Sequence, residues 1–251
     1  MSKTIVVTGA TSGFGKAIAE VFAVNKWNLI ITGRRKERLE EVKQALEQKG
    51  VNVMSICLDV RQKEAVFTAF NNLPDEWKNI DVLVNNAGLA VGRDPFDAAD
   101  MDDWERMLDT NVKGLLYVSK AVVPYMIARK QGHIINMGSI AGKEVYQYGN
   151  VYCASKYAVD ALGKAQRIDL LPHKIKVTNI NPGAAETEFS LVRFKGDAEK
   201  AKGVYQGYKA LSAEDVANVV YYCATLPPHV CINDLEITPL AQASANYFYK
   251  E

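Results

Sequence analysis

The stretch VVTGATSGFGKAIAE, residues 6–20, constrains the fold more than any other part of the chain. A β-prone run ends at Thr8, and Gly9, Gly13 and Gly15 crowd the turn before an amphipathic helix begins. Glycines let such a turn tighten and let backbone approach a pyrophosphate, which then sits at the positive end of the helix. Strand, glycine turn and helix in that order open a dinucleotide-binding βαβ unit. Gly9, Thr11, Ser12, Gly13, Phe14 and Gly15 are the expected cradle.

The same alternation runs through the chain. Strand-like runs at 5–8, 29–32, 52–58, 81–85, 132–137, 176–180 and 235–237 are separated by amphipathic stretches at 15–25, 36–49, 62–71, 102–129, 151–171 and 213–225. Strands that alternate with helices imply right-handed crossovers and a parallel sheet. The expectation is an α/β chain with one Rossmann-type, doubly wound parallel sheet of about seven strands and helices on both faces. No Pro/Gly/Ser-rich linker and no repeat divides residues 1–251, so one domain is expected. Residues 184–211 are polar, dotted with glycine and too long for a simple connection, which marks a substrate-covering lid or a disordered segment.

Bulk properties narrow the partners. A formal net charge of +1 gives no field favouring nucleic acid or an anionic membrane. The longest apolar runs are too short to span a bilayer, and no secretory h-region opens the chain. Cys57, Cys153, Cys223 and Cys231 form no CxxC pair and no metal-type spacing with histidine, so no metal is expected. A Cys223–Cys231 pair is conceivable, but without an export signal the thiols are read as reduced and the chain as cytoplasmic.

The second strand addresses the coenzyme. A site for NAD commonly ends this strand with a carboxylate that grips the ribose hydroxyls. Here the run is Ile31-Thr32-Gly33-Arg34-Arg35, with Arg38 a turn later. Guanidiniums suit a dianionic 2′-phosphate through forked, charge-assisted hydrogen bonds, and NADP(H) is the expected cofactor.

The chemistry points to Tyr152 and Lys156, four residues apart and so on one helix face. An ammonium about 4 Å from a phenol would favour phenolate by on the order of 4 kcal/mol at an effective dielectric near 20. Tyr152 would then exchange a proton near ambient pH.

Taken in order, TGATSGFG at 8–15, Asn85-Asn86-Ala87-Gly88, Asn111, Ser139, Tyr152-x-x-x-Lys156 and Pro182-Gly183-x-x-x-Thr187 resemble the short-chain dehydrogenase/reductase family along essentially the whole chain. TGRRKERL, ETEFSLVRFKG and IDVLVNNAGLAVG look like its NADP-dependent branch acting on serine, allo-threonine and other 3-hydroxy acids. The resemblance implies a catalytic set of Asn111, Ser139, Tyr152 and Lys156. Lys156 would also hold the nicotinamide ribose, Ser139 would steady the substrate oxygen, and Asn111 would kink its helix around a water in a proton relay. Asp59 and Val60 would face adenine, although Asp59 also suits a helix N-cap. Asn86, Ala87 and Gly88 would pack along the cofactor, and Pro182, Gly183 and Thr187 would border the nicotinamide.

The expected activity is interconversion of an alcohol and its carbonyl, with a short 3-hydroxy acid or a β-hydroxy amino acid such as serine as substrate. Arg193 is the candidate carboxylate anchor, and Gln147, Tyr148 and Tyr205 are candidate pocket residues. A broad carbonyl or 3-oxoacyl reductase is the enzymatic alternative, and a non-catalytic NADP(H)-binding sensor or scaffold the alternative of another class. Tyr247, Phe248 and Tyr249 would dock onto another subunit of a homotetramer, fold over their own pocket, or fray.

Overall fold

Period-two alternation decides how the central strand is used. In the computed structural model, which describes residues 2–251, Thr4–Val7 forms β1 with all four residues buried. Ile5 and Val7 point into one apolar layer and Val6 into the other. A strand that buries both faces needs helices on both sides, as parallel sheets do. The remaining strands are β2 (Asn28–Gly33), β3 (Val53–Cys57), β4 (Ile80–Asn85), β5 (Gly132–Met137), β6 (Ile175–Pro182) and β7 (Asp234–Ile237). They pair in parallel, in the order β3-β2-β1-β4-β5-β6-β7, as one seven-stranded sheet.

One layer of the core lies under α1 (Gly13–Val24), α2 (Lys36–Glu47) and α9 (Ala213–Thr225), where Phe22, Leu39, Val216 and Val220 meet the sheet. The other lies under α3 (Lys63–Asn71) and α5 (Leu115–Arg129), through Phe70, Val118, Val122 and Met126. Strand order reverses between β1 and β4, so their following loops diverge and leave a crevice at the carboxyl edge.

The helix expected over 102–129 is present but changes its winding midway. It divides into α4 (Met101–Leu108), a π-helical turn at Asp109–Gly114, and α5. The cause is Asn111, whose side chain leaves the helix surface to grip the backbone of Leu89, accepting from its N–H and donating to its carbonyl, both at 2.8 Å. α6 (Asn150–Leu170) runs unbroken and buries Tyr152, Ser155, Lys156, Val159 and Gly163 along one face.

Residues 184–211 are ordered, carrying α7 (Glu188–Arg193) and α8 (Ala198–Gly203). Thr187 caps α7 by accepting from the Phe189 N–H, and Asp197 caps α8 by accepting from Lys200. Three links tie the segment down. The Gly92 N–H donates to the Arg193 carbonyl at 3.0 Å, Lys195 pairs with Asp103 at 2.7 Å, and Glu188 reaches the arginines after β2.

Candidate active site

The glycine turn behaves as its spacing predicts. Gly9 adopts φ +68°, and a Cβ there would stand 3.0 Å from Cα of Ala87. A side chain at Gly15 would collide with the Gly9 carbonyl and the Asn86 amide. The Asn86 side chain in turn donates to the Thr8 carbonyl at 2.8 Å and the Gly9 carbonyl at 3.2 Å. Asn86 therefore braces the turn from β4 as well as lining it.

A cleft of about 300 Å³ opens above this turn. Gly9, Thr11, Ser12, Gly13 and Phe14 border it from below, Arg34, Arg35, Asp59 and Val60 from the side, and Asn86, Ala87 and Gly88 from β4. Tyr152, Lys156 and Thr187 close its far end. The residues present fit a dinucleotide: a glycine-opened cradle with the Thr11 and Ser12 hydroxyls where pyrophosphate would lie, and two guanidiniums at the ribose end.

That corner differs from expectation in three ways. Arg38 does not line the cleft; its guanidinium turns to Glu188 of α7 at 2.9 Å. Arg35 is shared, with Nε and Nη2 on the Thr11 and Ser12 hydroxyls and Nη1 on Glu188 at 3.0 Å. Together the arginines hold the Glu188 carboxyl below its usual range, against a burial that pushes it up. Asp59 is not the N-cap of α3, a place taken by Gln62. Its carboxylate takes a forked bond from Arg61 and faces Arg34 at 3.9 Å.

A larger cavity of about 500 Å³ adjoins the cleft, bordered by Ser139, Pro182, Gly183, Tyr205 and Arg193. Phe14, Gly138, Tyr152, Thr187 and Phe189 border both spaces, so Tyr152 stands where the two meet. Gln147 does not line the cavity and is exposed. The left-handed backbone at Tyr148, φ +63°, turns the chain outward there and leaves Tyr146 facing in. Tyr148 is exposed as well.

Sequence reasoning missed Tyr146, Arg93 and Gln242, while folding over its own pocket was one of the alternatives open to the aromatic run at 247–249. Gln242 accepts from the Ala184 N–H at 2.7 Å, and Phe248 stacks at 5.2 Å on Tyr208, so this segment folds over its own pocket. Tyr247 and Tyr249 point outward. The aromatic run at 247–249 was the available signal; nothing local marks Gln242.

Lys156 makes a second contact besides its place next to Tyr152. It shares the buried face with Tyr152, but its Nζ donates to the Met137 carbonyl at 2.8 Å and lies 5.9 Å from the phenol ring centroid. Burial lowers the Lys156 pKa to about 8. Burial likewise pushes the Tyr152 phenol well up, and the nearby Tyr146 adds to that rise. A hydrogen bond with the Ser139 hydroxyl and the charge of Arg193 pull it down. Asn111 touches Ser155 at 3.0 Å and reaches Lys156 only through that neighbour's helix.

Arg193 sits over both aromatic rings, its Cζ 5.3 Å from Tyr146 and 5.6 Å from Tyr152, and it donates to the Tyr146 hydroxyl at 2.9 Å. Its Nε is buried without a partner. A buried donor of this kind is expensive to leave unpaired.

Comparison with known proteins bears on the fold and the reaction class. Residues 3–197 match the family of short chain dehydrogenases. The chain is similar to an NADP-dependent 3-hydroxy acid dehydrogenase, YdfG of Escherichia coli strain K12, at 49% identity over 242 residues, 96% of each chain. It is also similar to sulfoacetaldehyde reductase 2 of Chromohalobacter salexigens, at 46% identity over 97% of this chain and 96% of that one. Among solved structures it is similar to a closed form of serine dehydrogenase complexed with NADP+, with a TM-score of 0.93, 48% identity and 99% of both chains covered. The ordered motifs, the single parallel sheet and these similarities lead to one assignment: the chain belongs to the short-chain dehydrogenase family.

Proposed function

We propose that this enzyme interconverts a short 3-hydroxy acid, or a β-hydroxy amino acid such as serine, with its carbonyl form, using Tyr152 as proton donor and acceptor. The chain is an NADP-dependent oxidoreductase of CH–OH groups. The coenzyme, when bound, gives or takes the hydride at the substrate carbon.

The chain's own residues divide the remaining work. Tyr152, where cleft and cavity meet, holds the proton that the substrate oxygen gains or loses. Ser139, lining the same cavity as Tyr152, offers its hydroxyl to the same oxygen, steadying charge as it develops. Lys156, open to the cleft beside Gly88, binds ribose hydroxyls. Asn111 holds the loop after β4 against α6 and so keeps Lys156 and Tyr152 in register. Thr11, Ser12, Arg34 and Arg35 take the phosphates. Arg193, steadied by Tyr146, receives the substrate's acid group through its unpaired Nε edge.

The observation that carries this reading is Tyr152 at the junction, with a guanidinium from the lid over its ring. The names of the similar proteins support an acidic substrate, since 3-hydroxy acids, serine and sulfoacetaldehyde all carry an acid group. A homotetramer in the cytoplasm completes the reading. The assembly is supported by the exposed Ile168 and Leu171 near the end of α6, and light scattering tests it. No helix among the described residues is long and apolar enough to cross a membrane.

Tyr152→Phe tests the core of the proposal. Turnover falls by at least about 100-fold, the usual scale of a lost general acid or base, while NADPH still binds. Undiminished turnover refutes the assignment.

A further inference from the structure

We infer that Arg193 is a positioning and tuning residue for Tyr152, so that the segment carrying α7, and not Lys156 alone, sets how readily the phenol yields its proton. The inference rests on the acid/base role proposed for Tyr152, and goes beyond the use of Arg193 as an anchor.

The geometry is specific. The guanidinium lies 5.6 Å from the Tyr152 ring centroid, closer than the Lys156 ammonium at 5.9 Å. Its place is fixed twice, by the bond from Nη2 to the Tyr146 hydroxyl and by the Arg193 carbonyl accepting from Gly92. The acidic groups nearby, Asp100 and Asp103, pair with the neighbouring Lys195.

The groups facing Tyr152 can be taken element by element. From α6 come Lys156 and Cys153, from the segment before it Tyr146, from the turn after β5 Ser139, and from α7 Arg193. Arg93, on the loop after β4, acts on Tyr146. Lys156 is committed to the Met137 carbonyl. Of the two cations Arg193 stands nearer the ring centroid, and its charge draws the phenol downward.

A consequence separates tuning from anchoring. When a substrate carboxylate settles on Arg193, the guanidinium charge is largely cancelled and Tyr152 loses part of its stabilisation as phenolate. An uncharged alcohol leaves that charge in force. Acidic and uncharged substrates therefore meet phenols of different acidity in the same pocket.

The experiment uses the NADP+ complex of the full chain. Near-ultraviolet absorbance follows tyrosine ionisation with pH in the parent, Arg193→Met and Arg193→Lys, and the same proteins carrying Tyr152→Phe are subtracted to isolate Tyr152. The midpoint rises by about one pH unit or more in Arg193→Met, as expected for a cation removed from this distance. Arg193→Lys recovers at least half of the shift. The pH profile of kcat/KM for an uncharged alcohol moves with the midpoint, which loss of an anchor alone would not cause. An unmoved Tyr152 midpoint in Arg193→Met overturns the inference and leaves the Tyr152 assignment standing, because that assignment is judged separately by Tyr152→Phe turnover.

Discussion

Replacing Arg34 by alanine isolates the part of the coenzyme site that reads the 2′-phosphate. Arg35 is the poorer probe, because it is also tied to Thr11, Ser12 and Glu188. Among the described residues Arg34 has Asp59 as its one salt-bridge partner, at a loose 3.9 Å, and its side chain is 46% exposed, so a dielectric nearer water than protein interior applies. Two unit charges at 4 Å in water attract by about 1 kcal/mol, and a dianionic phosphate doubles that to about 2 kcal/mol. A charge-assisted hydrogen bond adds about 1.5 kcal/mol, and the standing attraction to Asp59 offsets roughly 1 kcal/mol of the sum. The expected loss on Arg34→Ala is thus about 2–3 kcal/mol, or roughly 30- to 150-fold in Kd for NADPH. Binding of NADH changes by less than about threefold, since it lacks the phosphate. Fluorescence titration of both coenzymes measures this directly. Because the effect is electrostatic and half-exposed, raising salt tenfold narrows the gap between parent and variant for NADPH. An equal loss for the two coenzymes refutes the phosphate role of Arg34.

Other perturbations test other parts of the structure. Arg193→Met raises KM for 3-hydroxy acids at least about tenfold more than for uncharged alcohols, the scale of a lost charged hydrogen bond; equal changes contradict the anchoring role. Burial lowers the His133 pKa to about 3, so between that value and pH 6.5 the unfolded chain binds a proton that the folded chain does not. Stability contributed by keeping His133 neutral is complete above pH 6.5 and declines by about 1.4 kcal/mol per unit below it. His133→Leu flattens the acid side of the Tm–pH curve between pH 6.5 and 5, and parallel curves for the two proteins exclude this origin. Asn111→Ala strands the Leu89 N–H and carbonyl inside the protein, and destabilises the chain by about 2–4 kcal/mol in urea unfolding. A change under about 0.5 kcal/mol shows that the π-helical turn is held by other contacts.

What could be read from the chain before folding was whatever depends on local pattern. The glycine turn needs its residue types at fixed offsets, and period-two burial writes Ile5, Val6 and Val7 into the sequence as a strand covered on both faces. Tyr152 and Lys156 share a face because helices repeat every 3.6 residues. Where their polar ends point is a different matter. Lys156 turns to Met137 because β5 ends beside α6, and Arg193 lies on Tyr152 because a segment from after β6 folds back to Gly92. Neither approach leaves a mark at short range in the sequence. Asn111 is intermediate: the motif placed it, but the change of winding in the 102–129 helix follows from Leu89, which lies 22 positions away. The exposure of Gln147 turns on a single left-handed residue, Tyr148, a conformation that no β-branched or glycine signal announces.

The divided loyalty of Arg35 bears on any attempt to redesign coenzyme preference. One edge of its guanidinium serves the glycine turn, and the other end holds Glu188 of the helix that carries Arg193. Installing an acidic residue at position 35 to welcome NAD would set two negative charges against each other and push α7 off the sheet edge. Engineers who want a cheaper coenzyme would have to neutralise Glu188 in the same step, because selectivity at one end of the molecule and grip at the other are fastened by the same side chain.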